Sequence, residues 1–382
     1  MSITFADQAK IIALYFPQLH AIPENDRWWG KGFTDWNNIR RARPQFVGHY
    51  QPRIPLGGNY YDQSKLETIR YQASLAKKYG IYGFCHYHYW FDGKQLLETP
   101  TNLLRDNKDI DIPFCLSWAN ETWSRRWDGQ DHHILIRQTH PPTEESWRKH
   151  FNYLITFWED PRAIRIEGKP VFIIYRPHRI EKINQMVEFW RELALKEGIP
   201  SIYLIAQKQY EFPDRKCLEP FDAIFQFQPF ESIFHPAYNP KAIGRTFWRK
   251  ILQKLPSQIK AALKSIHSSL AKELTFYDYD EIWEEIIKIR RDTLTTYPGA
   301  FVDWDNTARY QERATIFTGA SPKKFQNWLH QLITTMPTRK LPENFIFLNA
   351  WNEWSESAYL EPDERYGLAY LEAIRSTILG NT

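Results

Sequence analysis

Two glutamates, Glu353 and Glu356, lie three residues apart in the segment Trp351-Asn-Glu-Trp-Ser-Glu. Enzymes that act on glycosidic bonds use two carboxyl groups, one to protonate the leaving oxygen and one at or near the sugar carbon. Indole rings beside the pair would raise a carboxyl pKa and keep one acid protonated near neutral pH. The alternative is that both glutamates open the last helix near its positive end. We favour a catalytic pair, because capping does not require Trp-flanked polar residues.

The segment Trp118-Ala-Asn-Glu-Thr-Trp is a candidate for binding sugar. Trp and Tyr have a flat apolar face and a polar edge, which suits ligands with hydroxyl groups around an apolar face, and the chain contains 16 Trp and 21 Tyr. Asn120 and Glu121 can hydrogen-bond sugar hydroxyls, while Trp118, Trp123 and Trp127 can stack on sugar rings. For Glu121, a third catalytic carboxylate and a buried structural pair with Arg125 or Arg126 remain alternatives.

His86 and His88 alternate along a predicted strand and therefore point to the same face. Such a pair can bind a metal, but a metal site would need further histidines on strands five and six. Those strands end in Gln207 and Gln226 instead. We therefore expect no metal and no cofactor, and we interpret the two histidines as hydrogen-bonding substrate, with structural hydrogen bonding as the alternative.

Short apolar runs alternate with amphipathic helical stretches, which is typical of a parallel sheet with helical crossovers. The pattern predicts an α/β fold, a (β/α)8 TIM barrel with long βα loops that forms one domain over residues 1–382. A doubly wound open sheet is the alternative, but no glycine-rich loop follows the first strand. The predicted strands are Ile11–Phe16, Ile81–Tyr87, Ile112–Trp118, Val171–Tyr175, Ile202–Ala206, Ala223–Phe227, Ala300–Val302 and Phe345–Leu348.

Most polar and aromatic clusters begin where a predicted strand ends. In a barrel these positions form the C-terminal rim, where active sites are built. The residues that we expect to bind substrate, in addition to the glutamate pair, are Trp28, Trp29, Trp36, Tyr50, His86, His88, Trp90, Trp118, Asn120, Glu121, Trp123, Trp127, Arg176, Gln226, Asp303, Asp305, Trp351 and Asn352.

A helical insertion is predicted between strands six and seven, at about residues 231–297. Within it, residues 241–272 contain eight Lys or Arg and no Asp or Glu, although the whole chain has a net charge of only +4. Apolar residues recur there at helical spacing. A basic amphipathic helix can lie on an anionic membrane surface. A solvated helical hairpin that packs on the barrel is the alternative.

The first eight residues contain neither a basic nor an apolar signal region, and no apolar run reaches the roughly 20 residues that a membrane span needs. The three cysteines, Cys85, Cys115 and Cys217, cannot all pair and are interpreted as reduced core thiols. The sequence therefore predicts a cytoplasmic protein that can contact the inner membrane peripherally through residues 241–272.

Several long motifs resemble the WbsX-type proteins of bacterial surface-polysaccharide clusters, a group that is similar to glycoside hydrolase family 99. They begin with Ala13-Leu-Tyr-Phe-Pro-Gln-Leu-His and Trp28-Trp-Gly-Lys-Gly-Phe-Thr-Asp-Trp, followed by His49-Tyr-Gln-Pro, Trp118-Ala-Asn-Glu, Trp127-Asp-Gly, Trp351-Asn-Glu-Trp-Ser-Glu and Tyr359-Leu-Glu-Pro-Asp. The resemblance implies a (β/α)8 barrel and metal-independent retaining chemistry. It also implies that Glu353 assists the 2-hydroxyl of the sugar in forming a 1,2-anhydro intermediate, and that Glu356 is the general acid and then the base.

Three functions follow from these observations. The first is a retaining, endo-acting glycosidase of a bacterial surface polysaccharide of the O-antigen or capsule type. The second is a glycosyltransferase, the activity usually attributed to WbsX proteins, which would use an activated donor at the inner membrane surface. The third is a non-catalytic sugar-binding barrel. All three predict an oligo- or polysaccharide partner and no nucleic acid.

Overall fold

The computed structural model describes residues 9–125, 130–236, 238, 274–290 and 292–379, without the side chains of residues 130–132. Nine parallel strands of these residues form the central sheet. We name them in chain order β1 to β9: Lys10–Tyr15, Ile81–Phe91, Phe114–Trp118, Lys169–Ile174, Tyr203–Lys208, Ala223–Gln226, Thr295–Tyr297, Gly299–Phe301 and Phe345–Asn349.

Strand order closes the sheet into a barrel. Going round from β7, each strand pairs in parallel with the next in the order β7, β6, β5, β4, β3, β2, β1, β9 and β8. The two end strands of this path, β7 and β8, are consecutive in the chain and are separated only by Pro298. They are therefore two halves of one barrel strand, of which the first pairs with β6 and the second with β9. Proline has no N–H to donate, so an interruption of the ladder is expected there.

Helices surround the barrel and alternate with its strands. The twelve helices of the described residues are named in chain order α1 to α12: Pro23–Trp29, Trp36–Arg41, Leu66–Lys78, Thr99–Asp106, Glu144–Trp158, Ile183–Lys196, Phe230–Phe234, Tyr279–Ile287, Thr307–Tyr310, Pro322–Thr334, Met336–Arg339 and Ala369–Leu379. None of them is long and apolar enough to span a bilayer.

The core has two layers because the strands are buried on both faces. Alternate strand residues, such as Leu14 and Phe347, fill the barrel interior. Their neighbours, such as Ala13 and Phe172, pack outward against the helices, where Trp190 of α6 is completely buried. A residue's position in this alternation therefore decides whether its side chain faces the barrel interior or the helices.

Short strands extend the rim of the barrel. Thr275–Asp278 pairs in parallel with Thr315–Thr318, and Asn352–Glu353 pairs with Ala358–Tyr359 across a tight turn. Trp123–Arg125 and Gln130–Ile136 form an antiparallel hairpin. Lys94–Leu96 pairs with the C-terminal end of β2. At the opposite end of the barrel, Arg165–Ile166 pairs with the first residues of β4.

The prediction of a (β/α)8 barrel is confirmed. All eight predicted strands are present within a few residues of their predicted bounds, and the seventh is longer than predicted because Thr295–Tyr297 belongs to it. The basic segment of residues 241–272 lies outside the described residues.

Gly299 of β8 lies directly against the backbone of β6. A Cβ atom at this position would lie 1.8 Å from the main-chain oxygen of Gln226. We expect Gly299→Ala to lower the free energy of unfolding by more than about 4 kcal/mol, because backbone atoms would have to move. Urea unfolding followed by circular dichroism measures this change.

Gly58→Ala is the control for this substitution. Gly58 is exposed and has a φ of +65°, and a Cβ atom there would meet no other atom within 4 Å, so only the cost of the left-handed conformation applies. We expect a loss of about 1–2 kcal/mol there. Equal losses for the two variants would contradict the close approach of β8 to β6.

Candidate active site

The glutamate pair is bound by one guanidinium group. Arg309 donates from Nη1 to Glu356 Oε1 and from Nη2 to Glu353 Oε1, both at 2.6 Å. The same Nη2 also donates to Asp35 Oδ2 at 2.9 Å. One cation thus holds three carboxyl groups at the C-terminal rim, and the two glutamates face each other across it.

Arg309 is positioned by Asp305. The Asp305 carboxylate accepts hydrogen bonds from the backbone N–H (3.0 Å) and the hydroxyl of Thr307, which fixes the first turn of α9. Its other oxygen accepts from Gln51 Nε2 and lies 2.7 Å from His49 Nε2. Since Gln45 N donates to His49 Nδ1, the imidazole donates to Asp305 from Nε2. Asp305 therefore ties the long first βα loop to the turn that carries Arg309.

Glu356 lies in a turn that is pinned to the same segment. The backbone N–H of Asp305 donates to Glu356 O at 2.8 Å, and Ser357 Oγ donates to Asp305 O at 3.0 Å. Ser357 has a φ of +56°, a left-handed conformation that usually favours glycine. Its hydroxyl bond anchors the residue at this turn.

Burial and charge oppose each other in this cluster. Burial raises the pKa of Glu353 to about 8; Arg309 acts to lower it, while Glu356 and Asp35 raise it further. Burial likewise raises the pKa of Glu356, again against the effect of Arg309. If all three carboxyl groups were ionised, the cluster would have a net charge of −2. A proton retained by the glutamate pair near neutral pH halves that charge, and it belongs to the pair as a unit.

The pair is in contact with solvent. The side chains of Glu353 and Glu356 are 8% and 18% exposed. Arg309 is 7% exposed and Asp35 is fully buried. The two glutamates therefore form the accessible edge of the cluster, while the aspartate lies behind the arginine.

Asn352 fixes the position of Glu353. Its side chain accepts from Phe16 N at 2.8 Å and donates to Phe16 O at 2.9 Å, so it binds the backbone at the end of β1, the neighbouring strand. Asn352 is completely buried. It was predicted to bind substrate, but the structure places it as a support between two strand ends.

Asn120 and Glu121 repeat this arrangement at the ends of β3 and β4. Asn120 accepts from Arg176 N at 2.7 Å and donates to Arg176 O at 3.0 Å, again on the neighbouring strand end. The following Glu121 accepts from Arg176 Nε at 3.1 Å and is 28% exposed. The charges of Glu121 and Glu356 both act on Tyr175, after burial, to raise its pKa, so this second pair lies on the same rim.

Two tyrosines that sequence reasoning missed lie next to the glutamates. Tyr87 and Tyr89 of β2 point to the barrel interior and the rim. Burial raises the pKa of both, and repulsion from Glu353 adds to this effect. Within the described part of the chain, neither hydroxyl has a hydrogen-bond partner, so both are able to bind a ligand.

His86, His88 and Trp90 lie on the opposite face of the same strand, which corrects their predicted role. His86 Nδ1 lies 3.1 Å from Thr101 Oγ1 of α4, and His88 Nε2 lies 2.9 Å from His150 Nε2 of α5. Trp90 stacks on His150 at 4.7 Å between ring centroids. The sequence predicts the correct strand end but the wrong face for these three side chains. Because β2 is buried on both faces, its pattern of polar and apolar residues does not show which side chains point into the barrel.

Three further tryptophans that were predicted to bind sugar are buried in protein. Trp36 packs on Trp354 and donates to Tyr61 O, Trp118 donates to Trp90 O, and Trp351 packs on Phe84. None of the three is more than 4% exposed. Trp118 and Trp351 belong to the outer layer that supports the rim, and Trp118 also lines a small cavity together with Trp90 and His150.

Asp303, Tyr50 and Gln226 also have structural partners. Arg53 Nη2 donates to Asp303 Oδ2 at 2.8 Å, and the Arg53 guanidinium lies over the Tyr50 ring. Gln226 donates to the buried Glu231 at 3.3 Å. These residues stabilise the first βα loop and the end of β6. Asp303 and Gln226 were predicted to bind substrate because they stand at strand ends, and Tyr50 because it lies in the aromatic-rich first βα loop.

The tryptophans of the loop regions are more accessible. Trp28 and Trp123 contact each other edge to face at 6.0 Å, and Trp123 also packs on Tyr89. Trp29 lies under the guanidinium of Arg125. All three are partly buried, and through Tyr89 the Trp123 ring borders the glutamate site. Trp127 lies outside the described residues.

Comparisons with known proteins identify relatives over almost the whole chain. The model of the family described as "Glycosyltransferase WbsX" matches residues 11–374. Two proteins named "Uncharacterized protein WxcX", from two strains of Xanthomonas campestris pv. campestris, are 35% identical over 371 residues, which is 97% of this chain. The chain spans about half the length (50%) of these curated relatives.

Solved structures with the same fold include a "Glycoside hydrolase-like protein", at 12% identity and a TM-score of 0.57 over 97% of this chain and 94% of that one. A glycoside hydrolase family 99 endo-α-mannosidase from Bacteroides thetaiotaomicron has 13% identity and a TM-score of 0.53 over 96% of each chain. At this level of identity the likeness concerns the fold alone.

The alternation of β2 predicts opposite effects for Tyr89 and His88. We expect Tyr89→Phe to weaken oligosaccharide binding about tenfold, with unfolding free energy unchanged within about 0.5 kcal/mol, since it removes a hydroxyl without a protein partner. His88→Ala should cost about 2 kcal/mol of stability, because it leaves His150 unpaired, and should leave affinity unchanged. Calorimetric titration and urea unfolding measure the two quantities. The reverse pattern would reassign the faces of the strand.

The raised pKa of Glu353 makes stability depend on pH. Between 4.5, the ordinary value, and about 8, the folded protein binds more protons than the unfolded chain, so this group lowers the unfolding free energy as pH rises. We expect the unfolding free energy of Glu353→Gln, relative to that of the natural protein, to increase by roughly 1–4 kcal/mol as the pH rises from 5 to 8.5. Glu372→Gln, at an exposed position of α12, is the control. A stability difference that does not change with pH would contradict the shift.

Proposed function

The chain belongs to the WbsX family, and we propose that it is an enzyme that acts on glycosidic bonds of a bacterial surface polysaccharide, with Glu353 and Glu356 as its catalytic pair. The observation that supports this most directly is the binding of both carboxyl groups to the two ends of one guanidinium, at 2.6 Å each. This arrangement is compatible with the carboxyl separation of roughly 5 Å that is usual in retaining glycosidases.

In the proposed first step, Glu353 accepts the proton of the sugar 2-hydroxyl while that oxygen attacks the anomeric carbon. The bond to the leaving oxygen breaks, and Glu356 gives this oxygen a proton. The products of this step are a 1,2-anhydro sugar, a neutral Glu353 and an ionised Glu356. This role assignment follows from the similarity to glycoside hydrolase family 99.

In the second step, Glu356 accepts a proton from the incoming hydroxyl group, whose oxygen attacks the anomeric carbon. The bond from that carbon to the 2-oxygen opens, and Glu353 returns its proton to the 2-oxygen. The glutamate pair thus returns to its original protonation state, and the anomeric carbon of the sugar keeps its original configuration. The starting state requires one proton on the pair, carried by Glu356 when the substrate is bound. Burial raises the pKa of both glutamates, which supports the retention of one proton by the pair near neutral pH.

Arg309 would keep the two glutamates usable at neutral pH, and Asp35 would hold that arginine in place. A buried carboxyl pair without a cation would hold its proton too tightly for one member to act as a base. Arg309 opposes that effect, and Asp35 orients the guanidinium through Nη2 without occupying Nη1. Both are positioning residues in this proposal: Arg309 holds the two glutamates, and Asp35, which is fully buried behind the arginine, holds Arg309.

The identity of the incoming hydroxyl separates the two candidate reactions. With water, the enzyme is an endo-acting hydrolase; with a sugar hydroxyl and an activated donor, it is a glycosyltransferase. The description of the matching family and the basic residues 241–272, which suit an anionic membrane surface, favour the transferase as the second candidate. The hydrolase remains our first proposal because the site consists of a carboxyl pair.

We expect Glu356→Gln to reduce oligosaccharide release from the polysaccharide at least about 1,000-fold, because the amide cannot protonate the leaving oxygen. Release is measured by chromatography of reducing ends without added nucleotide-sugar. Glu372→Gln should retain full activity.

Two other outcomes would change the proposal. Product formation only with an activated donor, with the same dependence on Glu356, would establish the transferase. Tight polysaccharide binding without turnover in either assay, and without any effect of Glu353→Gln, would leave only a sugar-binding barrel.

A further inference from the structure

A group of large apolar side chains is exposed on the rim beside the glutamate site. Phe46 and Val47, at the tip of the first βα loop, are 39% and fully exposed, and Phe276 is 43% exposed. The Phe46 and Phe276 rings are in contact edge to face, with centroids 5.5 Å apart. We call these three residues the rim patch. Its members come from segments more than 200 residues apart in the sequence, so the fold brings them together.

In the sequence, positive charge is concentrated in the segment that precedes Phe276. Phe276 follows closely after the segment 241–272, which contains eight Lys or Arg and no Asp or Glu, whereas the rest of the chain is slightly acidic. On the other side of that segment, Phe234 at the end of α7 is 54% exposed. Exposed apolar side chains therefore lie before and after the most basic stretch of the chain.

Three contacts connect the rim patch to the glutamate pair. Phe46 stacks on His49 with ring centroids 4.4 Å apart, and His49 Nε2 lies 2.7 Å from Asp305 Oδ2. The backbone N–H of Asp305 donates to Glu356 O at 2.8 Å. The rim patch is consequently linked to Glu356 through only two residues, His49 and Asp305.

We propose that the rim patch inserts into the headgroup region of an anionic lipid bilayer and holds the glutamate site at the membrane surface. Aromatic and aliphatic side chains that enter the interface, together with basic residues that attract anionic lipid, are the two components of peripheral membrane binding. Resting on the proposed function, the inference specifies the substrate class: a saccharide carried on a membrane lipid, whose glycosidic bond lies close to the headgroups.

Vesicle binding tests the proposal without any enzymatic readout. Wild-type protein should sediment with vesicles of phosphatidylglycerol and phosphatidylcholine, and the bound fraction should fall with added salt and with pure phosphatidylcholine. The double variant Phe46→Ser, Phe276→Ser should bind about tenfold more weakly. Leu195→Ser is the matched control, because Leu195 is 62% exposed near the C-terminal end of α6, at the opposite end of the barrel.

A fluorophore reports which surface enters the bilayer. Val47→Cys, labelled with an environment-sensitive dye, should show a blue-shifted emission on addition of anionic vesicles, whereas labelled Leu195→Cys should not. The three natural cysteines are buried and give little background labelling. Equal shifts at both positions, or equal vesicle binding by the double variant and the natural protein, would overturn the proposal.

Two further results separate membrane binding from catalysis and from self-association. Glu356→Gln should bind vesicles like the natural protein, so a failure of the proposed chemistry leaves this result intact. If the natural protein ignores vesicles but dimerises in sedimentation analysis, and the double variant is monomeric, the rim patch is an interface between two copies and the membrane proposal is wrong.

Discussion

The candidate site depends on one constraint, the burial of three carboxyl groups around a single cation. Removing a carboxylate from water is costly unless it is paired, and one arginine cannot neutralise three of them. Arg309 offers two terminal nitrogens in a rigid plane, which orients Glu353 and Glu356 while Asp35 shares one of these nitrogens. The unbalanced charge adds to burial in raising the carboxyl pKa values. Structure and acid–base properties of the site therefore have the same origin.

Asparagine–glutamate pairs are used twice around the rim with the same geometry. In each, the asparagine amide makes two hydrogen bonds to the backbone at the neighbouring strand end, and the next residue is a glutamate held by an arginine. Two hydrogen bonds from one amide fix the position and the direction of the chain at the strand end. The next residue, a glutamate, is therefore held in place without a separate supporting loop. Arg176 and Arg309 complete the two copies.

The barrel could be predicted because its strands are continuous apolar runs and its helices have a clear period. The position of Glu353 and Glu356 at the rim could be predicted, because their motif follows directly after the last barrel strand; their catalytic role is a proposal. Arg309 could not, since it stands alone between Ala308 and Tyr310 and its partners are distant in the chain. The direction of the His88 side chain could not be predicted for a different reason: a strand that is covered on both faces has no polar side that shows which residues face the barrel interior.

The division of one barrel strand at Pro298 has a consequence for the motions of the molecule. Each half has only three residues, and each is hydrogen-bonded to a single neighbour, so the wall of the barrel is thinnest at this seam. Local opening is cheapest where few backbone bonds must break together. The chain that leaves the seam reaches Asp305 and Arg309 within about a dozen residues. Local opening of the barrel would therefore begin next to Arg309, which orients the two glutamates. The opposite side of the barrel consists of longer strands and would stay closed.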